Sequence, residues 1–387
     1  MKIGIIDADL IGRHRHRFPN LACEKISNFH KTKGDNVQLL LDYKWDESFD
    51  KIYISKVFTD TPIPEWIEGT EQVKMGGTGF YFDKAPDLPE EIEHQFPDYH
   101  LYDQWIESEV QKAEKEKGDN FNRNSFMLQF KEYTEYSIGF ITRGCFRKCP
   151  FCVNQKYDRV FKHTDLNEFY DPSRKKICLL DDNFFGYSHW EDAIKPILAT
   201  GKPFKFKQGM DERILNDKMC ETVFNSKYDG DFTFAFDNIS DYDDVHKKLK
   251  VIRKHTNNKN IKFYVLCGFE NTNQNDIADT FKRIELLMKY QCLPYIMRYQ
   301  DKNYCPWKES EYRKMYVTLA RWCNQPSIFK KMSFRQFCEA NQLRHKTKGT
   351  LCSSMKALRD FEEKYPEIAK QYFDLRYADF SIDEVMK

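Results

Sequence analysis

The stretch YSIGFITRGCFRKCPFC, residues 136–152, sets the reading of the whole chain. Its first part, Ser137 to Ile141, is a short apolar run of the kind that forms a buried strand. Cys145, Cys149 and Cys152 follow at once with the spacing CxxxCxxC. Three thiols so close in sequence can converge on one metal centre by local folding alone. A cubane iron–sulfur cluster has four irons, so three thiolates leave one iron without a protein ligand. Gly144 and Pro150 let the chain turn tightly about such a cluster, and Arg147 and Lys148 put positive charge beside it. Two other uses of the same residues stay open: a zinc site completed by His163, and three ordinary reduced thiols.

Downstream of this loop the pattern is a regular βα series. Strand runs occur at Ser137 to Ile141, Ile177 to Leu180, Phe204 to Phe206, Phe232 to Phe236, Phe263 to Leu266 and Tyr295 to Met297, with helical segments between most of them. One helix is expected to open at Ser188 with Glu191 completing a capping box, and Gly201 follows its end. Six parallel strands joined by helices make most of a TIM-like barrel, whose chemistry sits at the C-terminal strand ends, where the cysteine loop falls.

Upstream, apolar runs at Ile3 to Ile6, Val37 to Leu41 and Ile52 to Val57 predict strands. Phe18, Leu21, Ala22, Ile26 and Phe29 predict a helix, with Pro19 in its first turn and Gly34 at its end. A Gly-rich turn is expected at Gly76, Gly77 and Gly79. The fold class is therefore α/β. A Rossmann-like domain is expected over residues 1–106, a charged linker over 107–132, a partial (βα)6 barrel over 133–300 and a helical C-terminal region over 301–387. Tyr312, Met315, Tyr316, Leu319 and Trp322 mark an amphipathic helix in that last region.

The 61 Lys and Arg against 60 Asp and Glu give a net charge of +1, which excludes a global electrostatic pull toward nucleic acid or membrane. No apolar run is long enough to span a bilayer, and MKIGIID enters a strand, so a soluble cytoplasmic protein is expected. The twelve cysteines are too irregularly spaced for a disulfide scaffold. Cys305, Cys323, Cys338 and Cys352 lack paired spacing and read as buried helix thiols.

With Phe151 before its third cysteine, the loop matches the CxxxCxΦC pattern and resembles that of the radical S-adenosylmethionine superfamily. The resemblance extends over the barrel to Asp181, Asp182, Asn183 and Phe184 (DDNF) and to Gln208, Gly209, Asp211 and Arg213 (QGMDER). Both are similar to strand-end motifs of the superfamily's cobalamin-domain-like branch. It implies a [4Fe–4S] cluster on Cys145, Cys149 and Cys152, with its open iron chelating the amino and carboxyl groups of S-adenosylmethionine. It also implies Phe151 along the adenine, Asp181, Asp182 and Asn183 toward the amino group, and Gln208, Asp211 and Arg213 toward ribose or carboxylate. An external one-electron reductant of flavodoxin or ferredoxin type would start the reaction. Read without the resemblance, DDNF is equally a helix-entry turn with capping carboxylates, and QGMDER a turn with a structural Asp211–Arg213 pair.

The N-terminal layout is similar to a cobalamin-binding domain, which would imply a radical methylase. The usual DxHxxG motif is missing, however: DADLIG at residues 7–12 has Asp9 where the histidine should stand. Only Cys23 precedes the loop, which leaves no second set of three for methylthiolation. His14 and His16 lie in a basic stretch, GRHRHR, suited to phosphate or nucleotide at a Rossmann-type edge. Between Arg313 and Lys348 nine Lys or Arg accompany one acid, Glu339, with Trp322, Phe329, Phe334 and Phe337 interleaved. That segment reads either as a nucleic-acid surface with stacking aromatics or as an amphipathic helical cap. A non-catalytic iron–sulfur or zinc protein that senses redox state or binds nucleic acid is the reading from another class.

Overall fold

The computed structural model describes residues 1–13, 16–257, 260–300 and 304–386. It is a mixed α/β chain with parallel sheets, in two compact units, Met1–Lys207 and Gln208–Lys387.

The first unit begins with β1 (Lys2–Asp7), β2 (Asn36–Leu39), β3 (Lys51–Ser55) and β4 (Val73–Gly76), paired in parallel in the order β2-β1-β3-β4. Side chains alternate across this sheet, as the period of a strand requires. Ile3 and Ile5 pack with Cys23, Ile26 and Phe29 on one face, and Ile6, Ile52 and Ile54 with Leu40 and Phe49 on the other. The fourth strand stands where a turn was expected to begin, because VKMG has no alternation to announce it. The predicted helix runs Leu21–Thr32, with Asn20 capping it through Cys23 N at 3.3 Å, so Pro19 precedes the cap instead of lying in the first turn.

The segment read as a charged linker is largely helical. The Asp103–Lys117 helix buries Trp105, Ile106, Val110 and Ala113, and Trp105 and Ile106 join Phe130 and Tyr133 in the core beside β1. Its charges occupy the outer face, which hid the apolar stripe from a composition-based reading.

Beyond it lie β5 (Tyr136–Gly139), β6 (Thr142–Arg143), β7 (Phe161–Lys162), β8 (Lys176–Leu179) and β9 (Phe204–Phe206). β5, β8 and β9 form a three-stranded parallel sheet, while β6 and β7 pair antiparallel. Buried Arg174 ties this region together, donating to the carbonyls of Tyr133 (2.7 Å), Tyr136 (2.9 Å) and Tyr99 (3.1 Å). The helix after DDNF runs Trp190–Ala199 with His189 at its cap and no side-chain cap bond. The expected Ser188–Glu191 box does not form, because a 3-10 turn at Phe184–Gly186 delays the helix start beyond Ser188.

The second unit holds β10 (Phe232–Ala235), β11 (Ile261–Cys267) and β12 (Leu293–Arg298) in one parallel sheet, followed by helices. All six strands of the expected βα series are present, three in each unit. The Arg313–Cys323 helix buries Met315, Tyr316, Leu319 and Trp322, as its spacing predicted. Among the described residues no helix is long and apolar enough to cross a membrane.

Candidate metal centre

The cysteine loop leaves and rejoins the fold at one place. Thr142 pairs with Lys162 and Arg143 with Phe161, so residues 144–160 form an excursion closed at its base. Charge fastens that base. Glu93 Oε1 accepts from His163 Nε2 at 2.9 Å, Arg143 at 3.1 Å and Lys25 Nζ at 3.2 Å. Burial raises the Glu93 carboxyl, but the bond from His163 and the charges of Lys25 and Arg143 prevail and hold it at about 2. His163 is thereby engaged with Glu93, away from the role of fourth zinc ligand considered for it.

DDNF holds the entrance of the loop residue by residue. Asp181 is fully buried and accepts from Ile141 N (3.2 Å), Thr142 N (2.6 Å) and Thr142 Oγ1 (2.7 Å). Burial pushes its carboxyl up to about 6 against the pull of those bonds. Asp182 Oδ2 accepts from Gly144 N at 2.9 Å, and burial raises this carboxyl too. Asn183 Nδ2 reaches Cys145 Sγ at 3.5 Å. Gly144 has φ +87°, and a Cβ there would lie 2.4 Å from the Arg159 carbonyl oxygen, so only glycine lets the outgoing and returning strands approach.

Inside the loop, Lys148 Nζ donates to the carbonyls of Gln155 (2.6 Å) and Tyr157 (2.7 Å) and pairs with Asp158 (2.6 Å). It is an internal brace as well as a positive charge. Gln155 Nε2 donates to the carbonyls of Cys149 and Cys152, a role that nothing in the sequence announced. Cys145 Sγ accepts from Arg147 N at 3.3 Å and Cys152 Sγ from Asn154 N at 3.4 Å. Cys145, Cys149, Cys152 and Phe151 are all half-buried. Among the described residues no three His, Cys, Asp or Glu side chains are gathered tightly enough to hold a metal ion. The donor set nevertheless suits an iron–sulfur cluster: three thiols on one braced loop, two of them receiving N–H donors.

No family model and no curated protein matches this chain.

Beside the loop a cleft of about 520 Å³ is lined by Phe146, Arg159, Val160, Phe161, Gly186 and Tyr187, among others. It brings the cysteine loop and the turn after DDNF to one surface.

QGMDER opens the second unit. Gln208 is exposed, and Asp211 caps a 3-10 turn, accepting from Arg213 N at 3.3 Å and Arg213 Nε at 2.8 Å. Arg213 also donates to Asp241 at 3.1 Å. The Asp211–Arg213 pair is therefore present in the fold. Between them Glu212 is buried, accepts from Ala235 N at 3.2 Å and is pushed up to about 8 by burial, so it is largely neutral at pH 7. Sequence reasoning passed over Glu212, because one more acid in a charged hexapeptide carries no sign of burial.

Asp9, at the place of the missing cobalamin histidine, is buried and accepts from Val57 N at 2.6 Å, Phe58 N at 3.4 Å and the Thr61 hydroxyl. It fastens the loop after β3. In the basic stretch, His14 and Arg15 lie outside the described residues. Arg13 is paired with Asp60 at 2.6 Å, and burial lowers His16.

In the tail, Trp322, Phe329, Phe334 and Phe337 are all buried, which agrees with the amphipathic helical cap, one of the two readings of this segment. Trp322 packs on Phe329 and Phe334, and Trp322 and Phe334 pack on Phe281. Cys323 and Cys338 are buried helix thiols as expected, whereas Cys305 and Cys352 are half-buried at helix starts.

Proposed function

We propose that the chain is a radical S-adenosylmethionine enzyme, with a Rossmann-like N-terminal domain and a partial (βα)6 barrel. The interlock of DDNF with the cysteine loop carries this reading: Asp181, Asp182 and Asn183 contact Thr142, Gly144 and Cys145 in register. Two motifs read as one site from sequence are thus physically one device. The all-parallel order β2-β1-β3-β4 and the two parallel three-stranded sheets support the proposed architecture.

Cys145, Cys149 and Cys152 would hold the cluster. Bound there with one iron open, a [4Fe–4S] cluster supplies one electron, received from a flavodoxin- or ferredoxin-type donor, to split the sulfonium C–S bond into methionine and a 5′-deoxyadenosyl radical. The chain's own residues set the stage. Asp181 is a positioning residue that fixes the loop entrance, and Asp182 and Asn183 would offer polar groups toward the amino group of the cosubstrate. Phe151 would offer a half-buried ring to adenine. The radical so formed would take a hydrogen from the substrate. Asp9, committed to the loop after β3, weighs against the cobalamin-dependent methylase reading.

The test is anaerobic reconstitution with iron and sulfide, reduction, and chromatography for 5′-deoxyadenosine. About four irons per chain and deoxyadenosine formation are expected, both lost in Cys149→Ala. A loaded protein that forms no deoxyadenosine under any reductant, or an unchanged chromophore in Cys149→Ala, would overturn the proposal.

A further inference from the structure

The second unit carries a basic cavity that the cluster chemistry does not use. About 430 Å³ in volume, it is lined by Arg321, Arg344, His345, Lys346, Ser353 and Ser354, among others, and no carboxylate lines it. Glu339, the single acid between Arg313 and Lys348, is not part of the lining.

Its cations are held in place without counter-ions. Among the described residues Arg321, Arg344 and Lys346 make no ion pair, whereas Arg335 nearby in sequence pairs with Glu362 at 2.6 Å and Asp374 at 2.9 Å. The turn bearing Arg344 and Lys346 is pinned. Gln342 donates to Thr350 O at 2.9 Å and accepts from Cys352 N at 2.8 Å, and His345 meets the Thr350 hydroxyl at 3.0 Å. The Ser353–Lys364 helix starts at this wall with no side-chain cap on its first turn, which adds N–H groups and serine hydroxyls to the cations. Three unpaired cations around an open depression with no acid are matched to an anion with several oxygens.

We propose that this cavity binds a backbone phosphate of a nucleic-acid strand. A strand fits better than a lone phosphate because the unpaired cations continue past the cavity. Lys314 is exposed two turns before Arg321 on the same helix, about 10 Å away along its axis. Lys348, two residues after Lys346, and Lys356, in the first turn of the Ser353–Lys364 helix, are exposed as well. Recognition is by backbone charge, since the aromatic rings of this region are buried in the core. This inference stands apart from the cluster assignment, and its test needs no cluster.

Binding of fluorescein-labelled 20-nucleotide RNA, single-stranded DNA and duplex DNA to the full chain is read by polarisation from 50 to 200 mM KCl. Inorganic phosphate serves as a competitor, and Lys330→Ala/Lys331→Ala, which removes two charges outside the cavity, serves as a control to be set against the double variant Arg321→Ala/Lys346→Ala. Three phosphate contacts in single-strand binding imply a slope contribution of about 2 in log affinity against log salt, or roughly a 20-fold loss over that range. Arg321→Ala/Arg344→Ala/Lys346→Ala should remove that part of the slope and weaken binding at least about tenfold, with the control unchanged. If the triple variant does not fold, Arg321→Ala and Lys346→Ala alone should each remove about 0.7 of slope. No strand bound at 50 mM, capture of phosphate alone, an unchanged slope in the cavity variants, or an equal loss in the control overturns the proposal.

Discussion

Replacing Asp181 by Asn tests the loop entrance without touching a cysteine. The wild-type carboxyl is fully buried and pushed from 3.8 up to about 6. A carboxyl raised on folding contributes most below its unfolded value, and that contribution is lost as pH rises through the folded one. Between pH 4.5 and 7.5 the loss amounts to about 2 kcal/mol, taking about 1.4 kcal/mol for each tenfold change in proton affinity. Asn does not ionise and escapes this loss. Its Oδ1 can keep the two bonds from Thr142, but its Nδ2 then faces Ile141 N, which the wild-type oxygen meets at 3.2 Å. Donor against donor in a buried site costs about 1–3 kcal/mol at every pH. The variant should therefore melt below wild type at pH 4.5, and the gap should narrow by about 4–8 °C by pH 7.5. Scanning calorimetry of both proteins at four pH values reads this directly. A gap that stays constant or widens with pH would refute the burial and bonding assigned to Asp181.

Gly144→Ala forces a positive φ on alanine and drives its Cβ against the Arg159 carbonyl, so iron bound after reconstitution should fall by at least half; full iron content in the variant would contradict this packing. Glu93→Gln leaves Lys25, Arg143 and His163 without their shared anion and should destabilise the first unit by about 3–5 kcal/mol in urea unfolding, whereas a loss below about 1 kcal/mol would show that the cluster is solvated. Because Glu93 is held at about 2 against an ordinary value of 4.5, that contribution should be complete at neutral pH and be lost progressively as pH falls from about 4.5 to about 2.

Long-range order was legible where strands are buried on both faces. Ile177, Phe204, Phe232 and Phe263 stand in apolar runs bounded by turns, and each became a strand. β4 was missed because a four-residue sheet edge needs no pattern of its own once β3 offers it a partner. The burial of Trp105, Ile106, Val110 and Ala113 in the Asp103–Lys117 helix was not legible, because its charges outnumber its few core residues. At the site, the cysteines and DDNF were visible because they cluster in sequence. Glu93 and Lys25 were not, since they reach the loop base from distant helices. The tail aromatics show a related limit: interleaving with lysine and arginine in sequence says nothing about which way a ring turns when the helix buries one face.

The two-residue ladder between β6 and β7 has a consequence for the life of the protein in air. Bringing together the ends of a flexible segment of roughly 17 residues costs about 2.5 kcal/mol of chain entropy. Here the fold bears that cost before any metal arrives, through Glu93, Asp181 and the ladder itself. If the proposed cluster were lost to oxygen, the chain should therefore keep an intact scaffold, and repair would be a matter of refilling instead of refolding.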